Sequence, residues 1–265
     1  MLFLTNEQGK VTQKYNIRPK TITKGSAYPY VSTNSPAFFR KPNLIGFIAD
    51  TPDPQEDHSK LNTLFLYNLS SGELKLSCPR SYPFTEANWG EGSTNYNMRG
   101  TYNKEEDAFY YSFPIDKNIY KLDMSDFKIS TASSIQNEYF NKIKPLSKKV
   151  TKTFDKLEIE KYAFTTPAYY NLVYDQYRKI YYRFVLHPLN ETEYFNQNGM
   201  PLRAISIICL DSKFNKLGET FIGNDNYFPM YFVGKTGLFI ANKQKYDQNE
   251  EYLEFDLFKA NTATK

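Results

Sequence analysis

The chain has 265 residues with 33 basic against 29 acidic side chains, a near balance (net +4) that supplies no overall field for nucleic acid or an anionic membrane. No apolar run approaches the ~18 residues of a membrane helix, and two cysteines, Cys78 and Cys209, are too few for a disulfide framework and lack metal-ligand spacing. Aromatic residues make up 17% of the chain, so much of the buried area must come from flat rings, which favour strands.

Short apolar-aromatic runs separated by polar turn clusters recur along the whole chain, the pattern of successive antiparallel hairpins. The opening stretch, "LFLTNEQGKVTQKY", predicts a hairpin of Leu2–Leu4 and Val11–Tyr15, which matches the last two strands of a four-stranded unit and gives a partial blade over 1–17. Residues 28–77 predict a second unit from Leu44–Ala49, Leu64–Tyr67 and Leu74–Leu76, preceded by a strand near Ala37–Arg40. Within it, "TPDPQEDHSK" reads as a Pro- and acid-rich surface loop carrying His58.

The third unit, 96–131, predicts four strands: Thr101–Asn103, Ala108–Phe113, Asn118–Asp123 and Phe127–Thr131. A Lys-rich insertion, 141–166, interrupts the pattern and predicts a helix around Lys152–Tyr162. Its charges are mixed and its rings are not interleaved, so a solvated face is expected rather than a nucleic-acid platform. The fourth unit, 168–222, repeats the order with Leu172–Tyr174, Ile180–Leu186, Ala204–Leu210 and Leu217–Ile222; the fifth, 228–260, stops after Met230–Val233, Leu238–Ala241 and Tyr252–Phe258.

Ile180, Tyr182, Phe184 and Leu186 point to one side of their strand and Tyr181 and Val185 to the other, so both faces are apolar. Antiparallel sheets covered on both faces favour a propeller of four-stranded blades in one domain, 1–265, over a sandwich with one polar face per strand.

No His-x-His, Cys–His or spaced carboxylate set is present, so neither a metal centre, a cofactor nor a catalytic group is expected. Asp175 falls at a hairpin tip equivalent to Asn103, where a short side chain bonds its own backbone, and Asp175→Asn is expected to cost little. Arg183 lies on the Tyr181 face and reads first as a stacked or paired structural charge. His187 precedes Pro188 and is placed at a blade rim. Trp89, in "EANWGEGSTNY", either plugs a gap between blades, the preferred reading, or stacks on a ligand at the channel mouth. Asn68-Leu69-Ser70 and Asn190-Glu191-Thr192 match the glycosylation pattern.

The stretches "ANWGEGSTNYNMRGTYNKEEDAFYYSFPIDKNIYKLD", "YYNLVYDQYRKIYYRFVLHP", "AISIICLDSKFNKLGETF" and "YFVGKTGLFIANKQ" resemble a Bacteroidetes family filed as a domain of unknown function, from about Leu2 to Ala260 and most clearly after Trp89. That family is similar to TolB-type six-bladed propellers. The resemblance implies an exported protein of the periplasm or cell surface, often a lipoprotein, and a longer N-terminus than this one. No signal segment opens this sequence and Cys78 lies too deep for an anchor, so an N-terminally truncated or reduced member is expected. The family brings no established catalytic residues.

The function expected from these features is a monomeric, non-catalytic propeller of the cell envelope that binds a glycan, another ligand or a partner protein at one face. The alternative is a glycan- or lactone-directed hydrolase or lyase with acids from several blades converging on the channel. First strands line a propeller channel and connections crowd its faces, so Trp89, Arg99, Tyr169, Tyr170, Arg183 and His187 are the expected ligand contacts.

Overall fold

A computed structural model describes residues 2–5, 8–15, 28–30, 36–40, 42–50, 62–80, 83–90, 97–148, 154–196, 202–223 and 226–260. The predicted loop around His58 lies outside them.

The chain opens with the hairpin β1 (Leu2–Thr5) and β2 (Val11–Tyr15), a two-stranded sheet of its own. The second sheet holds β3 (Tyr28–Tyr30), β4 (Phe38–Arg40), β5 (Leu44–Asp50), β6 (Asn62–Asn68) and β7 (Leu74–Pro79), with β3 and β4 both pairing with β5. The third is a meander of β8 (Arg99–Asn103), β9 (Ala108–Ser112), β10 (Asn118–Asp123) and β11 (Ile129–Ser134). After helix α1 (Lys156–Thr165), the fourth runs β12 (Ala168–Asp175), β13 (Ile180–Leu186), β14 (Ile205–Leu210) and β15 (Lys216–Phe221), with α2 (Glu191–Asn196) between β13 and β14. The fifth has β16 (Tyr227–Gly234), β17 (Gly237–Asn242) and β18 (Phe255–Phe258), with α3 (Lys243–Gln248) before β18. Among the described residues these are antiparallel sheets arranged as a four-bladed propeller flanked by the hairpin.

The sheets are apolar on both faces, and each face packs on a different neighbour. Tyr181 and Val185 join Leu64, Leu66, Phe109 and Tyr111 in a core spanning the second, third and fourth sheets, while Tyr182, Phe184 and Leu186 join Leu238 and Ile240 of the fifth. Ile45, Phe47 and Tyr67 face the other way from Ile48 and Leu66 and receive Tyr15 of the opening hairpin, 6.4 Å from the Tyr67 ring. Burying rings on both sides of inner strands such as β9 and β13 is what holds radially arranged sheets together.

One turn recurs at five of the tight connections, at Asn68, Asn103, Asp123, Asp175 and Asp211. Asn103 Oδ1 accepts from the Glu105 and Glu106 N–H groups at 3.0 and 3.4 Å, and Asp175 Oδ1 accepts from Tyr177 and Arg178 at 3.0 and 3.1 Å. Asn68, Asp123 and Asp211 accept from backbone N–H groups two residues on in the same way. Four residues after four of these side chains the backbone turns left-handed, at Gly72, Asp107, Phe127 and Lys179, with φ of 70°, 46°, 60° and 57°. Three of those four are not glycine, so the strained conformation is held by the Asx turn and the following strand rather than by residue choice.

In an antiparallel meander these turns all lie at one end of the sheets. The described parts of the longer connections, 83–90, 135–148, 154–167, 187–196 and 243–254, therefore lie at the other with the short link 113–117, and α1, α2 and α3 are built on them. The propeller thus has a plain face of tight turns and an elaborated face of long connections.

Candidate functional site

The six residues singled out from sequence belong to two elements of this second end: the connections themselves, and the strands running from or to them. Arg99 begins β8 and Tyr169 and Tyr170 follow the start of β12. His187 follows β13, and Trp89 lies in the connection before β8.

β8 and β12, first strands of adjacent blades, lie against each other. The Arg99 guanidinium sits 4.7 Å from the centroid of the Tyr170 ring. Tyr231, from the first strand of the next blade, joins them: burial raises the pKa of its hydroxyl, Tyr170 adds to the rise and Arg99 opposes it. Its ring also stacks on Phe184 at 4.8 Å. Three first strands from three sheets therefore carry a stacked guanidinium and phenol, Arg99 and Tyr170, and a second phenol, Tyr231, within electrostatic range of them. Tyr231 was not singled out from sequence; by register from the turn it matches Leu172 of the blade before, since Tyr231 pairs with Ile240 as Leu172 pairs with Arg183.

Tyr169 points away from this group. Its ring stacks under the Arg183 guanidinium at 3.8 Å and its hydroxyl accepts from Asn137 Nδ2 at 3.0 Å. Arg183 is fully buried and donates to the carbonyls of Asp116 and Lys117, at 2.6 and 2.7 Å, in the third sheet. Burial pulls its pKa down to about 10, which still leaves the guanidinium charged at neutral pH. The pair is a clasp between blades, as the strand-face reading of Arg183 anticipated.

Trp89 packs into the large core cluster, and its Nε1–H donates to the Pro83 carbonyl at 3.0 Å. This is the packing role. His187 is half-buried, edge-on to Tyr139 at 4.7 Å and to Phe221 at 5.1 Å.

Arg203 was not singled out from sequence. It is buried and donates to four backbone carbonyls, those of Ala163, Thr166, Leu186 and His187, at 2.5 to 3.1 Å. Two of these belong to the end of α1, whose last turn carries no basic residue of its own. Arg203 supplies that charge from the neighbouring connection. Its pKa falls to about 9 through burial, and Tyr170 partly offsets the fall, which puts Arg203 within electrostatic reach of the Arg99 group.

The acids have structural partners. Asp116 Oδ2 accepts from the Tyr120 hydroxyl at 2.5 Å, and Asp107 takes both ends of the Arg40 fork at 2.6 Å. Asp175, fully buried, holds its own turn and pairs with Arg178 at 2.7 Å. Arg178 reaches on to the Lys235 carbonyl of the fifth sheet at 2.8 Å. Among the described residues no group of three or more His, Cys, Asp or Glu is placed to hold a metal ion, and no helix is long and apolar enough to cross a membrane. Cys78 and Cys209 lie in different sheets and are unbridged.

The arrangement is that of a propeller in which a buried arginine, Arg99, meets a buried tyrosine, Tyr170, where two first strands leave the elaborated face. The model of the family described as "Domain of unknown function (DUF4221)" matches residues 1–221, and the chain belongs to that family. A crystal structure of a DUF4221 member from Bacteroides vulgatus superposes with a TM-score of 0.71 at 22% identity, covering 97% of this chain and 72% of that one, a likeness that shows the fold. An acylaminoacyl peptidase from Pyrococcus horikoshii aligns over 81% of this chain and 28% of its own, at 8% identity and a TM-score of 0.44. No curated protein matches the sequence.

Proposed function

We propose that this protein is a non-catalytic binding propeller of the cell envelope, taking a ligand or partner protein on its long-connection face over Arg99, Tyr170 and Tyr231. The observation that carries the reading is the convergence of these residues from three separate first strands, with Arg99 stacked on Tyr170 at 4.7 Å. Flat phenol rings beside a guanidinium suit a neutral glycan or a carboxylate-bearing ligand, because rings supply stacking area and arginine supplies paired donors. The opposite face, closed by short turns that bond themselves, offers little to a partner. Placement in the envelope, with lipid-anchored export and a TolB-type ring of six blades, is supported by the family resemblance of the sequence.

The test is a thermal-shift and calorimetric screen of neutral oligosaccharides, uronate oligosaccharides and short peptides. Wild type is compared with Arg99→Met and Tyr170→Phe, which keep the stem and the ring. A ligand that binds wild type and loses at least ~10-fold affinity in Arg99→Met supports the site; loss of one buried charge-assisted contact has about that size. A ligand bound equally by folded wild type and both variants sinks it.

A further inference from the structure

The joint between the third and fourth sheets contains a group the binding reading does not use. The His187 ring is wedged between Tyr139, from the segment after β11, and Phe221, at the end of β15. Its Nε2 is shut off from solvent and has no hydrogen-bond partner among the described residues. The backbone on either side is fixed: the His187 N–H donates to the Ala204 carbonyl at 2.9 Å, and its carbonyl accepts from Arg203 Nε at 2.8 Å.

The charged groups around it come from three elements. Glu138 stands on the segment after β11, Lys216 and Glu219 on β15, and Arg203 before β14. Lys216 bridges Glu138 and Glu219 at 2.8 and 2.7 Å. The Glu219 carboxylate, fully buried, also accepts from the Ser206 hydroxyl at 3.3 Å and the Glu138 N–H at 3.0 Å. Both acids are thus engaged, and neither hydrogen-bonds the imidazole. Arg203 adds a like charge.

A neutral imidazole fits this slot. An imidazolium would carry an unsolvated N–H and a second positive charge beside a buried guanidinium, and burial of either is costly. We propose that His187 is an acid-sensitive latch: protonation drives its ring out of the Tyr139–Phe221 slot and loosens the joint between the third and fourth sheets. Because Arg203 ties the His187 carbonyl to the end of α1, release is passed to the elaborated face.

The sign follows from the environment. Burial first, then Arg203, hold the His187 pKa below its ordinary value of 6.5, with Glu219 opposing. A depressed folded pKa makes the site's contribution to stability whole above about 6.5 and lost as pH falls from there toward the folded value.

The chain has only two histidines, so the imidazole Cε1–H resonances give two titration curves, assigned with His58→Asn. The His187 midpoint is expected below 6.5. The Glu138 amide, corrected for intrinsic rate, is expected to exchange ~10-fold faster at pH 5 than at pH 7.5 as local opening becomes easier. His187→Phe fills the slot without titrating and should remove that acid dependence. A His187 midpoint at or above 6.5, or the same acid-driven exchange in a folded His187→Phe, overturns the proposal. If the variant fails to fold, the wild-type midpoint and amide rates decide by themselves.

Discussion

Replacing Asp175 separates turn formation from the bonding between blades. The side chain is fully buried and accepts four hydrogen bonds, two at Oδ1 from backbone N–H groups and two at Oδ2, from Arg178 Nη1 at 2.7 Å and the Tyr182 hydroxyl at 3.2 Å. Asp175→Ala removes all four and leaves Arg178 without its carboxylate, for ~3–5 kcal/mol. Asp175→Asn keeps the carbonyl oxygen that builds the turn but sets an amide N–H₂ against Arg178, for ~1–2 kcal/mol. This figure stands above the small cost expected from sequence, because the second oxygen holds Tyr182 and Arg178 of its own blade, and Arg178 in turn donates to the Lys235 carbonyl of the fifth sheet. At ~2–4 °C per kcal/mol for a chain of this size, the alanine variant should melt ~10 °C lower and the asparagine variant ~4 °C lower. Urea unfolding followed by the single tryptophan, with an Arg178→Met double-mutant cycle, measures the coupling, expected near ~1 kcal/mol. An Asp175→Asn variant within ~0.3 kcal/mol of wild type would show the second oxygen to be idle.

Arg183→Met keeps volume but strips the Asp116 and Lys117 carbonyls of their donor, and chemical denaturation should show a loss of ~2–4 kcal/mol. Arg40→Met breaks a half-exposed bidentate pair with Asp107 and should cost only ~1 kcal/mol, shrinking further in high salt, which melting at two ionic strengths will show. Burial pushes the Cys78 and Cys209 thiols up to about 12 and 11. A thiol-reactive dye at pH 8 should therefore label partly exposed Cys209 slowly and buried Cys78 only on unfolding.

The strands were legible because their ends are written in turn residues. The predicted Asn118–Asp123 and Ile180–Leu186 match β10 and β13 to the residue, and Asn103 and Asp175 make the same bonds to the backbone two and three residues on. The two faces of β13 divide between two cores as its alternation requires. The predicted helix at Lys152–Tyr162 is observed at Lys156–Thr165, started by the capping box of Asp155 and Glu158. The six-residue helices α2 and α3 went unread, although Asn190 and Glu193 exchange capping bonds at 2.8 Å. The same Asn190 matched a glycosylation pattern, and a short helix has too few turns to show a period.

The site was legible only in part. Tyr170 and Arg99 were named from their positions at strand starts, and they do meet. Tyr169, one residue away, faces the opposite side and serves the Arg183 clasp. Tyr231 and Arg203 owe their roles to neighbours far off in sequence, which no local pattern encodes.

The claim that the elaborated face is the binding face is tested most directly by measuring one ligand from the screen against two arginine or lysine losses on opposite faces. Arg99→Met removes the cation stacked on Tyr170, and Lys213→Met removes an exposed cation from the β14–β15 turn on the plain face. The expected result is a drop in affinity of ~10-fold or more for Arg99→Met and no change for Lys213→Met. Affinity lost in Lys213→Met and retained in a folded Arg99→Met would place the binding surface on the other side of the propeller and contradict the account.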